Sequence, residues 1–331
     1  MIRQSSTQPS CCIHIGLPKT ATTMLQDHLF VRHSQVEYLG TYHQRAKQQY
    51  RQCRDEAVQE IIDQLIHQGR SRPDLPRCRH LFAESVAPAL EAGRVPLWSW
   101  ESLGLNHLKT REQRAKNLRA VFEPCKALIA LRHPVRLVES VYFQTLRATN
   151  VARKSRFGRG PRYLTIDQWL ERSWTTSAKA PLSHLDYAAT IDLFARVFGK
   201  ESVGVFLFED LARDSTAFIE SVCRFIGIDS QEGVKLAADK RARNRTTVQE
   251  IERLKQVQGS FFQSMVFRFA ARGKRRRMLG LRARGGAPDG ERARAPVPQR
   301  WQERIAEKTR EGNRRLIEEW GLPMEKYDYP L

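Results

Sequence analysis

Ile13-His14-Ile15-Gly16-Leu17-Pro18-Lys19-Thr20-Ala21-Thr22-Thr23-Met24-Leu25 is the stretch from which the fold of this chain can be read. The apolar run Cys12 to Gly16 reads as a buried strand, and Gly16 and Pro18 turn the chain. Thr22 to Val31 then reads as a helix with Met24, Leu25, Leu29 and Phe30 on one side. Strand, turn and helix in that order aim backbone N–H groups and a positive helix end at one point. The Lys19 ammonium and the hydroxyls of Thr20, Thr22 and Thr23 stand around the same point, which suits a phosphate or sulfate group. A nucleoside-triphosphate loop, G-x-x-x-x-G-K-[ST], is not met. The single glycine lies three residues before the lysine, and no acidic strand end for Mg²⁺ accompanies it.

Outward from this stretch the strand-then-helix order repeats. Val36 to Gly40 reads as a second strand, and Glu56 to His67 carries helical spacing at Val58, Ile61, Ile62, Leu65 and Ile66. Val95 to Trp100 is a further strand ending at Glu101, and Arg111 to Phe122 a polar helix. Ala127 to Leu131 is a continuous apolar run, the pattern of a central parallel strand buried on both faces. Val203 to Phe208 and the helix through Phe218, Val222, Phe225 and Ile226 repeat the unit. The expected fold is α/β, a central parallel sheet flanked by helices on both faces.

The charge balance narrows the partners. The 331 residues carry 56 Lys+Arg against 36 Asp+Glu, a formal net charge of +20, which favours anionic partners. Arg268 to Arg300 alone holds eleven basic and two acidic residues, net +9. The second half of that segment, rich in Gly, Ala, Pro and Arg, reads as mobile. The six cysteines show no C-x-x-C spacing, so reduced buried thiols are expected and a metal is not. Arg3 to Ser10 is polar and no long uncharged apolar run occurs, which makes the expected location cytoplasmic.

A second anion site is expected where the central strand ends. Arg132 sits at that carboxyl edge, where open α/β folds bind ligands, and Ser140 lies eight residues on in the next helix. A guanidinium fork with a hydroxyl suits a second phosphate. With both stretches in view, the chain resembles the PAPS-dependent sulfotransferase family, including its Golgi-type and bacterial glycan branch. Gly16 to Thr23 is similar to the family's 5′-phosphosulfate loop, and Leu131-Arg132-His133-Pro134-Val135-Arg136-Leu137-Val138-Glu139-Ser140-Val141-Tyr142 to its 3′-phosphate motif. Phe208-Glu209-Asp210-Leu211, Phe225-Ile226-Gly227-Ile228 and Lys326-Tyr327-Asp328-Tyr329 extend the resemblance to the end of the chain. Ala21 departs from the commoner glycine but stays small.

The resemblance implies a P-loop-NTPase-like three-layer sandwich and sulfuryl transfer from PAPS to a carbohydrate or glycolipid hydroxyl. It implies that Gly16, Pro18, Lys19, Thr20, Ala21, Thr22 and Thr23 hold the 5′ end of the donor. Lys19 then sits on the bridging oxygen of the leaving group. Arg132 and Ser140 grip the 3′-phosphate, joined by a later loop around Arg243 and Asn244. For the base that takes the acceptor proton, Glu101 is the first candidate and His43 the second. No metal enters that chemistry.

The implied layout is a flexible N-terminus (1–11), a sulfotransferase domain (12–267), a basic, partly mobile insertion (268–300), and a C-terminal helix and tail (301–331). A kinase-like phosphotransferase and a basic nucleic-acid-binding protein are the competing readings. The first would require Mg²⁺. The second lacks an aromatic single-strand platform or reading helix, so no specific nucleic acid is expected. Two segments stay open between surface and function. The basic loop Arg153 to Arg162 is either solvated or a wall of the acceptor cleft. Phe261 to Phe269 with Lys274 to Leu279 is either a helix packed on the core or a peripheral contact with an anionic inner membrane face.

Overall fold

The structure, a computed structural model, describes residues 10–41, 53–66, 73–104, 108–151, 163–174, 182, 185–238, 246–270, 272–280 and 291–331. Strands β1 (Cys11–Ile15), β2 (Val36–Gly40), β3 (Val95–Ser99), β4 (Cys125–Leu131) and β5 (Val203–Leu207) form one parallel sheet in the order β2-β3-β1-β4-β5. The register sets Ile13 of β1 beside Trp98 of β3 on one side and Ala127 of β4 on the other. Strands β1, β3 and β4 are buried on both faces, which is why they read as unbroken apolar runs.

The alternation of side chains splits the core into two layers. Cys11, Ile13, Ile15, Ala127, Ile129 and Leu131 point to one face. There they meet α2 (Glu56–Ile66), α3 (Leu75–Ser85), α5 (Leu108–Val121), α6 (Pro134–Val151) and α8 (Tyr187–Phe198). Cys12, Leu97 and Leu128 point to the other, against α10 (Ser215–Ile226) and α11 (Ser230–Ala238). The result is the expected α/β sandwich of P-loop-like type, three layers deep. In α2, Val58, Ile61, Ile62, Leu65 and Ile66 are all buried, each contributing roughly 1.5–3 kcal/mol of apolar burial. α10 starts on Asp214, whose carboxylate accepts from Thr216 N and Ala217 N at 3.0 Å each, and stops at Gly227 in the left-handed region.

The helix after the first loop differs from expectation. Thr22–Met24 (α1) is α-helical, but Leu25–Phe30 is a π-helix, with Val31 N bonded to Gln26 O at 3.2 Å. The wider turn lets Leu25, Gln26, Leu29 and Phe30 all face the sheet. Gln26 uses this to donate from Nε2 to Ser99 Oγ of β3 at 2.8 Å, and His14 Nδ1 meets the same oxygen at 2.7 Å.

The remaining helices are α4 (Ala87–Glu91), α7 (Ile166–Ser173), α9 (Phe208–Arg213), α12 (Val248–Gly259), α13 (Phe261–Phe269), α14 (Arg272–Met278) and α15 (Gln299–Trp320). α15 packs on α6 and α8 through Trp301, Ile305 and Leu316. Residues 291–298 run extended, with Val248 N bonded to Glu291 O at 2.9 Å and Ala293 N to Thr246 O at 3.0 Å. All six cysteines are free thiols, five of them buried. Among the described residues no helix is long and apolar enough to cross a membrane.

Candidate active site

The strand order places a topological switch point at the carboxyl ends of β1 and β4. From β1 the chain runs toward β2 and β3, and from β4 it runs to β5 on the opposite side. The loop after β1 carries Lys19, and Arg132 follows β4 directly. The two are joined: Arg132 Nη1 donates to Lys19 O at 3.1 Å.

The loop is held from inside. Thr20 Oγ1 and Thr22 Oγ1 both donate to Leu17 O, at 2.7 and 3.3 Å. Their hydroxyl protons therefore brace the turn, and the donors they have left for an anion are backbone N–H groups at the start of α1. Thr23 is half-buried and Lys19 is exposed. Lys19 and Ala21 both sit at φ 68°, in the left-handed region, which costs an L-residue roughly 1–2 kcal/mol. A glycine at position 21 is therefore a conformational preference as well as a matter of space.

Arg132 is fixed by contacts along its whole length. Its carbonyl accepts from Tyr187 Oη at 2.7 Å, and its guanidinium lies over the Phe208 ring at 4.5 Å. Its Nε is buried with no hydrogen-bond partner. Burial lowers its pKa, Glu209 acts in the opposite direction, and the charge of Arg292 adds to the lowering. A desolvated guanidinium with an unmet donor, in the field of a second guanidinium, is an arrangement that an anion completes.

The late segments of the chain meet here. Glu209, at the start of α9, is buried; it accepts from His133 N at 3.0 Å and from Tyr329 Oη at 2.9 Å. His133 Nε2 donates to Asp328 O at 2.9 Å, and burial lowers the His133 pKa. Tyr327 Oη bonds Asp210. The C-terminal tail thus ties the ends of β4 and β5 together.

Of the other sequence-derived candidates, Ser140 lies half-buried on α6 beside Glu139, whose Oε1 accepts from Ala295 N at 2.9 Å. Glu101 opens a 3₁₀ turn, Glu101–Gly104, directly after β3, which neighbours β1. The turn is pressed onto the loop: a Cβ at Gly104 would stand 2.4 Å from Leu17 Cδ2. Gly16 is buried and Pro18 half-buried within the loop. His43, Arg243 and Asn244 lie outside the described residues, as does the loop Arg153 to Arg162.

One residue was missed from sequence. Arg292 pairs with Thr247 in an antiparallel bridge, which brings the extended 291–298 segment beside the residues that follow Arg243 and Asn244. Its signal was masked by a Gly-, Ala- and Pro-rich context that reads as mobile.

Two strand-end cations around a left-handed loop, at the switch point of a parallel sheet, define an anion-binding α/β enzyme. The sequence profile of the sulfotransferase family matches residues 13–232, about two thirds of the 331 residues, and the chain belongs to that family. It is a sulfotransferase, which moves a sulfuryl group to an acceptor.

Among solved structures the chain is similar to a sulfotransferase from Alicyclobacillus acidocaldarius, with 18% identity over 67% of this chain and 82% of that one, TM-score 0.42. It is also similar to a sulfotransferase domain from the curacin biosynthetic pathway, with 13% identity over 68% and 76%, TM-score 0.38. A mouse sulfotransferase complexed with PAP aligns with 12% identity over 70% and 64%, TM-score 0.37. No curated protein matches the chain.

Proposed function

We propose that this enzyme transfers the sulfuryl group of PAPS to a hydroxyl of a carbohydrate or glycolipid acceptor by in-line displacement. The observation that carries the reading is the bond from Arg132 Nη1 to Lys19 O, which ties the two anion-binding ends into one clamp. PAPS has two separated phosphate-bearing ends, and the clamp has two cationic ones. Lys19 and the backbone N–H groups of Thr20 to Thr23 take the 5′ end, while Arg132, Ser140 and Arg292 take the 3′-phosphate. Arg243 and Asn244 are proposed for the same 3′-phosphate, as the family resemblance implies.

In the reaction the acceptor oxygen bonds to sulfur as the bridging S–O bond to the adenosine bisphosphate breaks. Lys19 neutralises the charge that develops on that bridging oxygen. The acceptor proton passes to a base, for which Glu101 is the first choice and His43 the second. In support of this choice, the Glu101 turn follows β3, the strand next to β1, and packs on the loop where Gly104 meets Leu17. The same reading puts the enzyme in the reducing cytoplasm, where its six free thiols remain reduced.

The test is transfer of label from radiolabelled PAPS to glycan, lipid and protein fractions, with Glu101→Gln and His43→Ala compared at saturating donor. The proposal expects label in the glycan or glycolipid fraction and a loss of about 100-fold or more for Glu101→Gln. Label in protein alone would refute the acceptor class, and near-wild-type turnover of Glu101→Gln would remove Glu101 as the base.

A further inference from the structure

The aromatic stretch at 261–269 forms a nine-residue helix, α13, that turns its apolar stripe outward. Phe261, Phe262, Met265 and Phe269 are 87%, 70%, 45% and 79% exposed, whereas Phe267 is fully buried. At 100° per residue the four exposed side chains fall within one 100° arc, and Phe267 lies on the opposite side. The helix is therefore packed by one ring and presents the others as a continuous face to solvent. The helix is thus packed on the core through Phe267, while its other rings stand outside. Exposed apolar clusters of this kind mark contact sites.

The surroundings of that face say what it contacts. Arg275 is buried over the Phe267 ring at 5.3 Å, and its Nη2 donates to Arg268 O at 2.7 Å, which locks α14 to α13. That lock leaves Arg268, Lys274 and Arg277 exposed beside the stripe, with Arg276 half-buried. No Asp or Glu occurs between Glu252 and Asp289. An apolar face flanked by cations, in a stretch of sequence without carboxylates, is complementary to an anionic lipid surface: rings enter the acyl boundary and cations stay among the headgroups. A second copy of the chain would bring like charge against like charge in a protein of net charge +20.

We infer that α13 and α14 form a membrane-docking surface that lies in the headgroup layer of an anionic bilayer. α12 leads to this surface from the Thr247–Arg292 bridge, and α14 packs on α6, the helix that begins just after Arg132. The inference depends on neither the donor nor the acceptor.

It is tested by co-sedimentation of the full chain with vesicles of phosphatidylcholine alone or mixed with phosphatidylglycerol, at low and high salt. Wild type is expected to bind only the mixed vesicles and to be released by salt. The triple variant F261S/F262S/F269S and the variant K274E/R277E are each expected to bind about tenfold more weakly or worse. Both should keep the wild-type circular dichroism spectrum and the thermal stabilisation by PAP, which separates this inference from the reading of the donor site. No binding to mixed vesicles at low salt, or unchanged binding by the triple variant, would overturn it. It would also be overturned if the triple variant altered only the sedimentation mass or the retention of single-stranded DNA, because the face would then serve self-association or nucleic acid.

Discussion

The strand-end clamp and the α13–α14 pair are both cationic, yet they hold their charges in opposite ways. At the strand ends Arg132 is half-buried and held in place through its carbonyl, its Nη1 and the Phe208 ring, while Lys19 stays exposed beside it. On α13 and α14 the cations are mostly solvated and the apolar rings are exposed. The difference teaches that net charge alone does not identify a site. A desolvated, oriented guanidinium selects a ligand with matching geometry, whereas solvated cations around an apolar stripe suit a fluid surface of matching charge.

That contrast predicts unequal costs. Glu209→Ala would leave His133 N and Tyr329 Oη buried without an acceptor, and should lower unfolding free energy by about 3 kcal/mol. Phe262→Ser, on the exposed face, should change it by less than about 0.5 kcal/mol. Equal losses in denaturant titrations of the two variants would break the comparison.

Acid should also act on one region and spare the other. Burial holds the His14 pKa at about 3, against an ordinary 6.5. Below pH 6.5 the unfolded chain therefore binds a proton that the folded chain refuses, and stability falls as pH drops, by about 1.4 kcal/mol per unit at the steepest. Between pH 7 and pH 5 wild type should lose about 2 kcal/mol more than His14→Leu. A gap between the two proteins that does not change with pH would contradict this. Vesicle binding through Arg268, Lys274 and Arg277 should not change over the same range.

The smallest expected effect is a gain. Ala21→Gly relieves a residue at φ 68° and should add a few tenths to about 1 kcal/mol of stability, readable as a higher melting temperature. A loss would mean that the Ala21 methyl contributes more through packing than its backbone costs.

Much of the clamp was legible because parallel strands buried on both faces announce themselves as apolar runs, and the residues at their ends are next in sequence. Lys19 after β1, Arg132 after β4 and Glu101 after β3 are all read this way. The ring of ties from Glu209 to His133 and Tyr329 was not legible as contacts, since it joins residues far apart in the chain. Arg292 was hidden by its Gly-, Ala- and Pro-rich neighbours. The aromatics of 261–269 beside a basic cluster stood out in the sequence, but not whether they faced the core, because composition gives no face its direction. The π turn was missed for a similar reason: Leu25, Leu29 and Phe30 satisfy an α-helical spacing as well.

The central claim is that Lys19 and Arg132 form one clamp for a ligand with two phosphate-bearing ends. The direct measurement is thermal stabilisation by PAP of wild type, Lys19→Ala and Arg132→Ala. At about 100-fold excess over Kd the wild type should gain about 2.7 kcal/mol. Each variant should require about 100-fold more PAP for the same gain. Undiminished stabilisation of both variants would contradict the clamp.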